Sequence, residues 1–256
     1  MVAPRIAVGA LTDTPSSARD HWEGHADDWI ALTRSDPAYD FLNKPSFLEL
    51  VPAPGRLTIE VGCGEGRVAR ELIARGHRVV GIDAAPALAR AAASHAVAPP
   101  VAVADIAQLP VRVAAADVVV CFMVLMDVED LDGGVAELAR ILEPDGTLCV
   151  AILHPIASSG LFSGDEYGTF YMGDYLQQMR HVLDIERADG GIFRFRIEHR
   201  PIERYFRAFE AAGLTVTALR EPRPSEEIAT QQTRLANSRR VPGFLHLLAR
   251  HNAPRA

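Results

Sequence analysis

Glu60, Gly62, Cys63, Gly64, Gly66 and Asp83 carry the chemistry most plainly legible in this chain. The glycines punctuate Thr58-Ile59-Glu60-Val61-Gly62-Cys63-Gly64-Glu65-Gly66-Arg67, where an apolar run turns straight into a helical pattern. Lacking a Cβ, Gly62 and Gly64 can take positive φ and let a ligand lie against bare backbone N–H groups at a helix N-terminus. That is chemistry for holding the backbone-hugging part of a cofactor. The spacing argues against a dinucleotide: G-x-G-x-x-G needs a glycine where Arg67 stands, and here the third glycine arrives one residue early. Asp83 ends a second apolar run, and a carboxylate there can accept both hydroxyls of a ribose; its plainer role is to cap a helix.

These residues need parallel strands to deliver them to one edge. Leu57 to Val61 is short, apolar and partly β-branched, as a buried parallel strand should be, and Val68, Leu72 and Ile73 then recur at helical spacing. Arg78 to Asp83, Val101 to Asp105 and Asp117 to Phe122 read as three more strands, so glycine or acid arrives repeatedly at one sheet edge.

With those residues in place, the chain resembles a class I S-adenosylmethionine-dependent methyltransferase of the small-molecule type. The resemblance rests on Glu60 to Gly66, Gly81-Ile82-Asp83, Ala104-Asp105-Ile106, the segment Asp117 to Asp130, and Arg140-Ile-Leu-Glu-Pro144-Asp-Gly146-Thr-Leu; it covers most of Arg56 to His154 and continues more loosely through His199-Arg200-Pro201 and Tyr205 to Gly213. It implies an α/β, Rossmann-like, seven-stranded, mostly parallel sheet with helices on both faces and the last strand antiparallel. An N-terminal helix and a lid hairpin insertion would be added to it. It also implies S-adenosyl-L-methionine as cofactor. Glu60 and the Gly62–Gly64–Gly66 loop with Cys63 would face its methionyl part, Asp83 and Ala84 the ribose, Asp105 and the Ile106 amide the adenine, and the backbone of Cys121 and Phe122 its amino group. Related enzymes often carry a His-His pair after the fourth strand; this chain has Met126-Asp127 there, which excludes a histidine role at those positions.

Composition agrees. A chain of 256 residues, 48% hydrophobic, can bury one large core, and is read as a single domain over 1–256. Its parts are an N-terminal helical cap at 18–50, a cofactor-binding core at 56–154, a substrate-lid insertion at 155–200 and the rest of the core at 201–256. The net charge of −7 gives no overall pull toward phosphate polymers, so no nucleic-acid partner is expected. The tract from Arg194 to Arg207 alternates with Glu198 and Glu203 and reads as a solvated face. Cys63, Cys121 and Cys149 form no C-x-x-C pair, so neither a metal site nor a disulfide is expected. The absence of a targeting segment or membrane-length apolar run leads us to expect a cytoplasmic protein without a membrane partner.

Outside the common core, a helix starting near Ser17 places Trp22, His25, Ala26, Trp29 and Ile30 on one face, with Trp29 an aromatic wall for the cofactor or a core contact. The fifth strand, Thr147 to Leu153, ends at His154-Pro155. Gly160 to Tyr175 has the Gly, Phe and Tyr content of a mobile lid, making Tyr167 and Tyr171 substrate candidates. His181 to Arg187 and Ile192 to Arg200 read as a hairpin about a turn at 188–191, with Phe193, Phe195, Ile197 and His199 on one side. Phe195 is thereby a third substrate candidate. A helix from Ile202 to Ala212 and strands Leu214 to Leu219 and Gly243 to Arg250 complete the sheet. His154 and His199 are the candidate bases, since imidazole titrates in the useful range. Three functions fit: methyl transfer to O, N or C of a metabolite, a reaction of the same fold without methyl transfer (cyclisation or elimination), or non-catalytic cofactor binding.

Overall fold

The computed structural model describes residues 5–6, 17–33, 38–163, 168–186 and 192–252. Seven strands form its main sheet. In chain order they are β1 (Thr58–Val61), β2 (Val79–Asp83), β3 (Val101–Val103), β4 (Ala116–Phe122), β5 (Leu142–Leu153), β6 (Leu214–Arg220) and β7 (Phe244–His251). Their spatial order is β3-β2-β1-β4-β5-β7-β6, with β7 antiparallel to both of its neighbours. The chain winds outward from β1 in both directions, and the crevice between β1 and β4 is the switch point where open α/β sheets bind ligands. The parallel register Thr58↔Val79 and Thr58↔Val118 brings β1, β2 and β4 to the same carboxyl edge.

Both faces of the sheet are covered, and the two-residue period of a strand decides which side chain goes where. Along β4, Val119 and Cys121 join the core under the helices Leu131–Ile141 and Ile202–Ala211, while Val118, Val120 and Phe122 join a second core with Phe47, Val68 and Leu72. Three expected elements differ in detail. β5 starts at Leu142 rather than Thr147, because a bridge Ala116↔Leu142 precedes a register shift and leaves no loop after the helix. The N-terminal helix is two, Ala18–Gly24 and Ala26–Thr33, broken at His25; Ser17 caps the first by accepting from the Asp20 N–H at 3.1 Å. The hairpin pairs Met179–Glu186 with Ile192–His199, and its expected turn at 188–191 lies outside the described residues.

The Arg194–Arg207 tract is not a uniformly solvated face. Arg196 and Arg200 are buried, at 3% and 6% exposure. Arg196 pairs with Glu129 and, at 2.8 Å, with Glu198; Arg200 donates to the carbonyls of Val128 at 2.6 Å and Glu129 at 3.2 Å. Alternating signs read as exposure in one dimension, but the partners that make burial tolerable come from the loop after β4.

One buried histidine gives a pH prediction. His246 on β7 is fully buried, with Nε2 2.8 Å from Asn43 Oδ1, and burial lowers its pKa to about 4. The native state keeps it neutral while the unfolded chain protonates it near 6.5. Stability is therefore complete above pH 6.5 and falls as the pH drops toward 4, by roughly 3 kcal/mol from this group. Urea midpoints of the wild type should fall from pH 7 to pH 4.5, and His246→Gln, less stable at pH 7, should show a shallower fall. Parallel curves would remove His246 from the account.

Candidate functional site

A cavity of about 820 Å³ opens at the carboxyl edge between β1 and β4. Its first half is built on the turn after β1. Gly62, Gly64 and Gly66 sit at φ of +74°, +56° and +85°. Asp83, at the end of β2, braces that turn: its carboxylate accepts from the Gly64 N–H at 2.7 Å and the Ala85 N–H at 2.9 Å. Burial nonetheless raises its pKa, with those two bonds opposing. A carboxylate has more acceptor positions than these two bonds use, so capping and ligand binding are compatible here. Glu60 lies beneath the turn, 2% exposed, with Oε2 unpartnered and its pKa raised well above the ordinary value by burial and then by Asp83. A buried unpartnered carboxylate oxygen on a cavity wall fits a ligand that brings a donor or a positive charge. Cys63, Ala84, Asp105 and Ile106 complete this half.

The second half is aromatic. Trp22, Trp29 and Phe195 line it, with Trp22 and Trp29 ring centroids 5.1 Å apart and Phe195 5.7 Å and 6.2 Å from them. The helix carrying Trp22 is tied across the cavity: the Ala18 N–H donates to Glu129 Oε1 at 2.8 Å, and Glu23 Oε2 accepts from the Ala87 N–H at 2.7 Å. Asp127 closes this end, buried and lining the cavity with Oδ1 unpartnered. Met123, just past β4, also lines it at φ +60°, a conformation uncommon for a side-chain-bearing residue and concentrated at functional sites.

Of the sequence candidates, Glu60, Gly62, Cys63, Gly64, Asp83, Ala84, Asp105, Ile106, Phe122, Trp29 and Phe195 meet at this cavity. Gly66 and Cys121 are not on its wall. Gly66 turns the chain into the helix Arg67–Ala74, and Cys121 points into the core, fully buried, one residue before the cavity-lining Phe122. Neither candidate base reaches it. His154 is 1% exposed; its Nδ1 accepts from the Ile156 N–H at 3.1 Å and its Nε2 meets Glu221 at 2.9 Å, so it caps the helix Pro155–Ser158. His199 is held by Ser158 at 2.7 Å and the Tyr175 carbonyl at 2.8 Å. The expected lid is also displaced: Gly160–Phe162 pairs with Phe170–Met172 in a ribbon off the cavity, and Tyr171 is 61% exposed. Tyr167 lies outside the described residues.

Tyr39, Asn43, Arg67, Trp22, Met123 and Asp127 are wall residues that the sequence did not single out as site residues. Arg67 stacks on the Tyr39 ring, 3.5 Å from its centroid, and donates to the Thr33 carbonyl. Arg67 had been visible only as a missing glycine, and Asp127 only as a missing histidine. Among the described residues no cluster suited to a metal ion occurs and no helix is long and apolar enough to cross a membrane.

Residues 59–150 match the family model described as a methyltransferase domain. A malonyl-[acyl-carrier protein] O-methyltransferase of Serratia marcescens is 33% identical over 100 residues, 39% of this chain and 39% of that protein. A ubiquinone biosynthesis O-methyltransferase of Xanthomonas campestris pv. campestris (strain B100) is 30% identical over 141 residues, 50% of this chain and 59% of that protein. The match thus spans less than two thirds of these relatives' length. An S-adenosylmethionine-dependent methyltransferase structure from Mesorhizobium loti superposes with a TM-score of 0.68 at 22% identity, covering 85% of this chain and 99% of that one, so the fold is shared.

Gly62 offers a direct test of the turn. A Cβ there would lie 2.1 Å from Val124 Cγ2, on top of the cost of positive φ. Gly62→Ala should lose about 2 kcal/mol or more in stability and most ligand affinity at this cavity, read by urea unfolding and calorimetry. A variant as stable as the wild type would show that the two loops are not packed as described.

Proposed function

We infer, from the match of residues 59–150 to a methyltransferase-domain model and from the fold shared with an S-adenosylmethionine-dependent methyltransferase structure, that the chain transfers the methyl group of S-adenosylmethionine to a small molecule with an aromatic or otherwise apolar body. One observation carries this reading. A single cavity joins a glycine turn flanked by strand-end carboxylates to an aromatic wall, and at about 820 Å³ it has the size of a cofactor-and-ligand site. Glu60 and the Gly62–Gly64 turn would hold the methionyl part, Asp83 the ribose hydroxyls, and Asp105 with the Ile106 N–H the adenine. The negative charge of the chain supports a metabolite over a phosphate polymer.

S-adenosylmethionine held by Glu60, the Gly62–Gly64 turn and Asp83 would supply a methyl group already activated on a sulfonium, with the thioether as the leaving group. What remains for this chain is alignment and exclusion of water, and alignment alone can lower such barriers by about 7–11 kcal/mol. Trp22 and Trp29 on the tied helices, with Phe195 opposite, shield the acceptor end.

Calorimetry should find saturable binding of S-adenosylmethionine and S-adenosylhomocysteine and none of NAD(H). Asp83→Ala should weaken the first two at least tenfold, because it removes ribose acceptors and unbraces the Gly64 N–H together. NAD binding of equal affinity would overturn the assignment. With methyl-labelled cofactor, label should appear in an acceptor product; turnover that leaves it on the cofactor would favour a reaction without methyl transfer.

A further inference from the structure

Asp127 stands within a cluster of charges yet keeps one oxygen without a hydrogen-bond partner. Arg196 and Arg200 act on it from the hairpin strand and the residue after it; Glu198 on that strand and Glu129 on the loop after β4 act in the opposite sense. Arg180 joins the cluster through Glu198 at 2.6 Å, so three guanidinium groups face three carboxylates, and Asp127 Oδ1 still has no hydrogen-bond partner among them. The other members have partners, although Arg196 Nε and Nη1 carry no hydrogen bond. Arg196 binds Glu129 and Glu198, Arg200 binds main-chain carbonyls, and Glu129 also holds the Ala18 N–H. Asp127 is 6% exposed, has an oxygen with no partner, and is on the cavity wall, whereas Arg196 and Arg200 are not. Tyr205 and Cys121, neutral and buried, are the remaining titratable groups that feel its charge. Trp22, Trp29 and Phe195 face the same space, and aromatic faces attract cations.

Resting on the methyl-transfer reading, we propose that the acceptor is an amine on an apolar or aromatic body, whose ammonium group docks against Asp127 with its body on Trp22, Trp29 and Phe195. The unpartnered carboxylate oxygen on the cavity wall and the aromatic side chains that share that wall call for the same ligand. Trp22, Trp29 and Phe195 lie outside the 59–150 match, so the acceptor named for a relative does not carry over to this wall. The docked ammonium gives one N–H proton to the Asp127 carboxylate, which leaves a neutral nitrogen with its lone pair free as the acceptor. Burial raises the Asp127 pKa well above the ordinary carboxylate value, which makes it a stronger proton acceptor than an exposed aspartate.

The test uses three probes of similar body, phenethylamine, 4-ethylphenol and phenylacetate, titrated by calorimetry at pH 7.5 into the full chain saturated with S-adenosylhomocysteine. Phenethylamine should bind at least tenfold more tightly than either of the others. Asp127→Asn should erase that preference while binding S-adenosylhomocysteine within twofold of the wild type. Equal or tighter binding of the phenol or the acid, no binding of the amine to the loaded protein, or an unchanged preference in Asp127→Asn would each overturn the proposal. Failure of S-adenosylhomocysteine itself to bind would instead strike the methyl-transfer reading. Should Asp127→Asn not fold, Asp127→Glu keeps the charge but moves it by one methylene, and must still weaken phenethylamine selectively; uniform weakening of all three probes would mean a structural role only.

Discussion

A side chain at residue 62 would have to displace Val124 and hold a positive φ, and much of the site follows from that constraint. The turn after β1 and the loop after β4 approach so closely that a Cβ would lie within 2.1 Å of a Val124 methyl carbon. Glu60, the glycine backbone and Asp83 from one side and Met123, Met126 and Asp127 from the loop after β4 line the same cavity. Glycine also supplies the positive φ, so a single residue type answers both the steric and the conformational demand.

Buried charge is the second organising feature. Glu60 and Asp127 each keep an oxygen without a partner, a state that costs free energy wherever it is not relieved. Both line the same cavity. Their burial raises both pKa values, and ligand charge or ligand donors would relieve what burial imposes. The protein thus holds free energy of desolvation where ligands enter. Arg196, through Glu129, and Arg200, through the Val128 carbonyl, fasten the hairpin to the loop that carries Asp127, while Arg196 Nε and Nη1 are also left without partners.

What was legible in the sequence was what short-range pattern controls. The four central strands, the glycine turn and the acids at strand ends all follow from apolar runs broken by residues with special backbone or charge, and they meet as expected at one edge. His154 and His199 lie off the cavity wall for a reason the sequence does not contain. Each sits in a segment that approaches the edge, yet Ile156, Glu221, Ser158 and Tyr175, up to 67 residues away, occupy both ring nitrogens. The aromatic-rich stretch around Tyr171 likewise reads as a lid by composition, while its strand pairing folds it back on itself away from the cavity. Asp127 was on the page as a departure from a resemblance, but only three-dimensional packing separates a carboxylate that lacks a partner from one that caps a helix, as its neighbour Asp130 does by accepting from the Gly133 N–H at 2.9 Å.

The cap over the cavity inherits its order from this arrangement rather than from its own sequence. Its helices hold 7 and 8 residues, well below the length at which an isolated helix is stable in water. They are held by Ser17 at the N-terminus, by Glu129 and the Ala87 N–H at two points across the cavity, and by Trp22 and Trp29 against Phe193 and Phe195. Glu129 is shared between the cap and Arg196, so the group that anchors the cap also belongs to the charge cluster around Asp127. A cation arriving at Asp127 therefore changes the field at the anchor of the helix that covers it. Glu129 thus ties the placement of the short helices to the same cluster that holds Asp127.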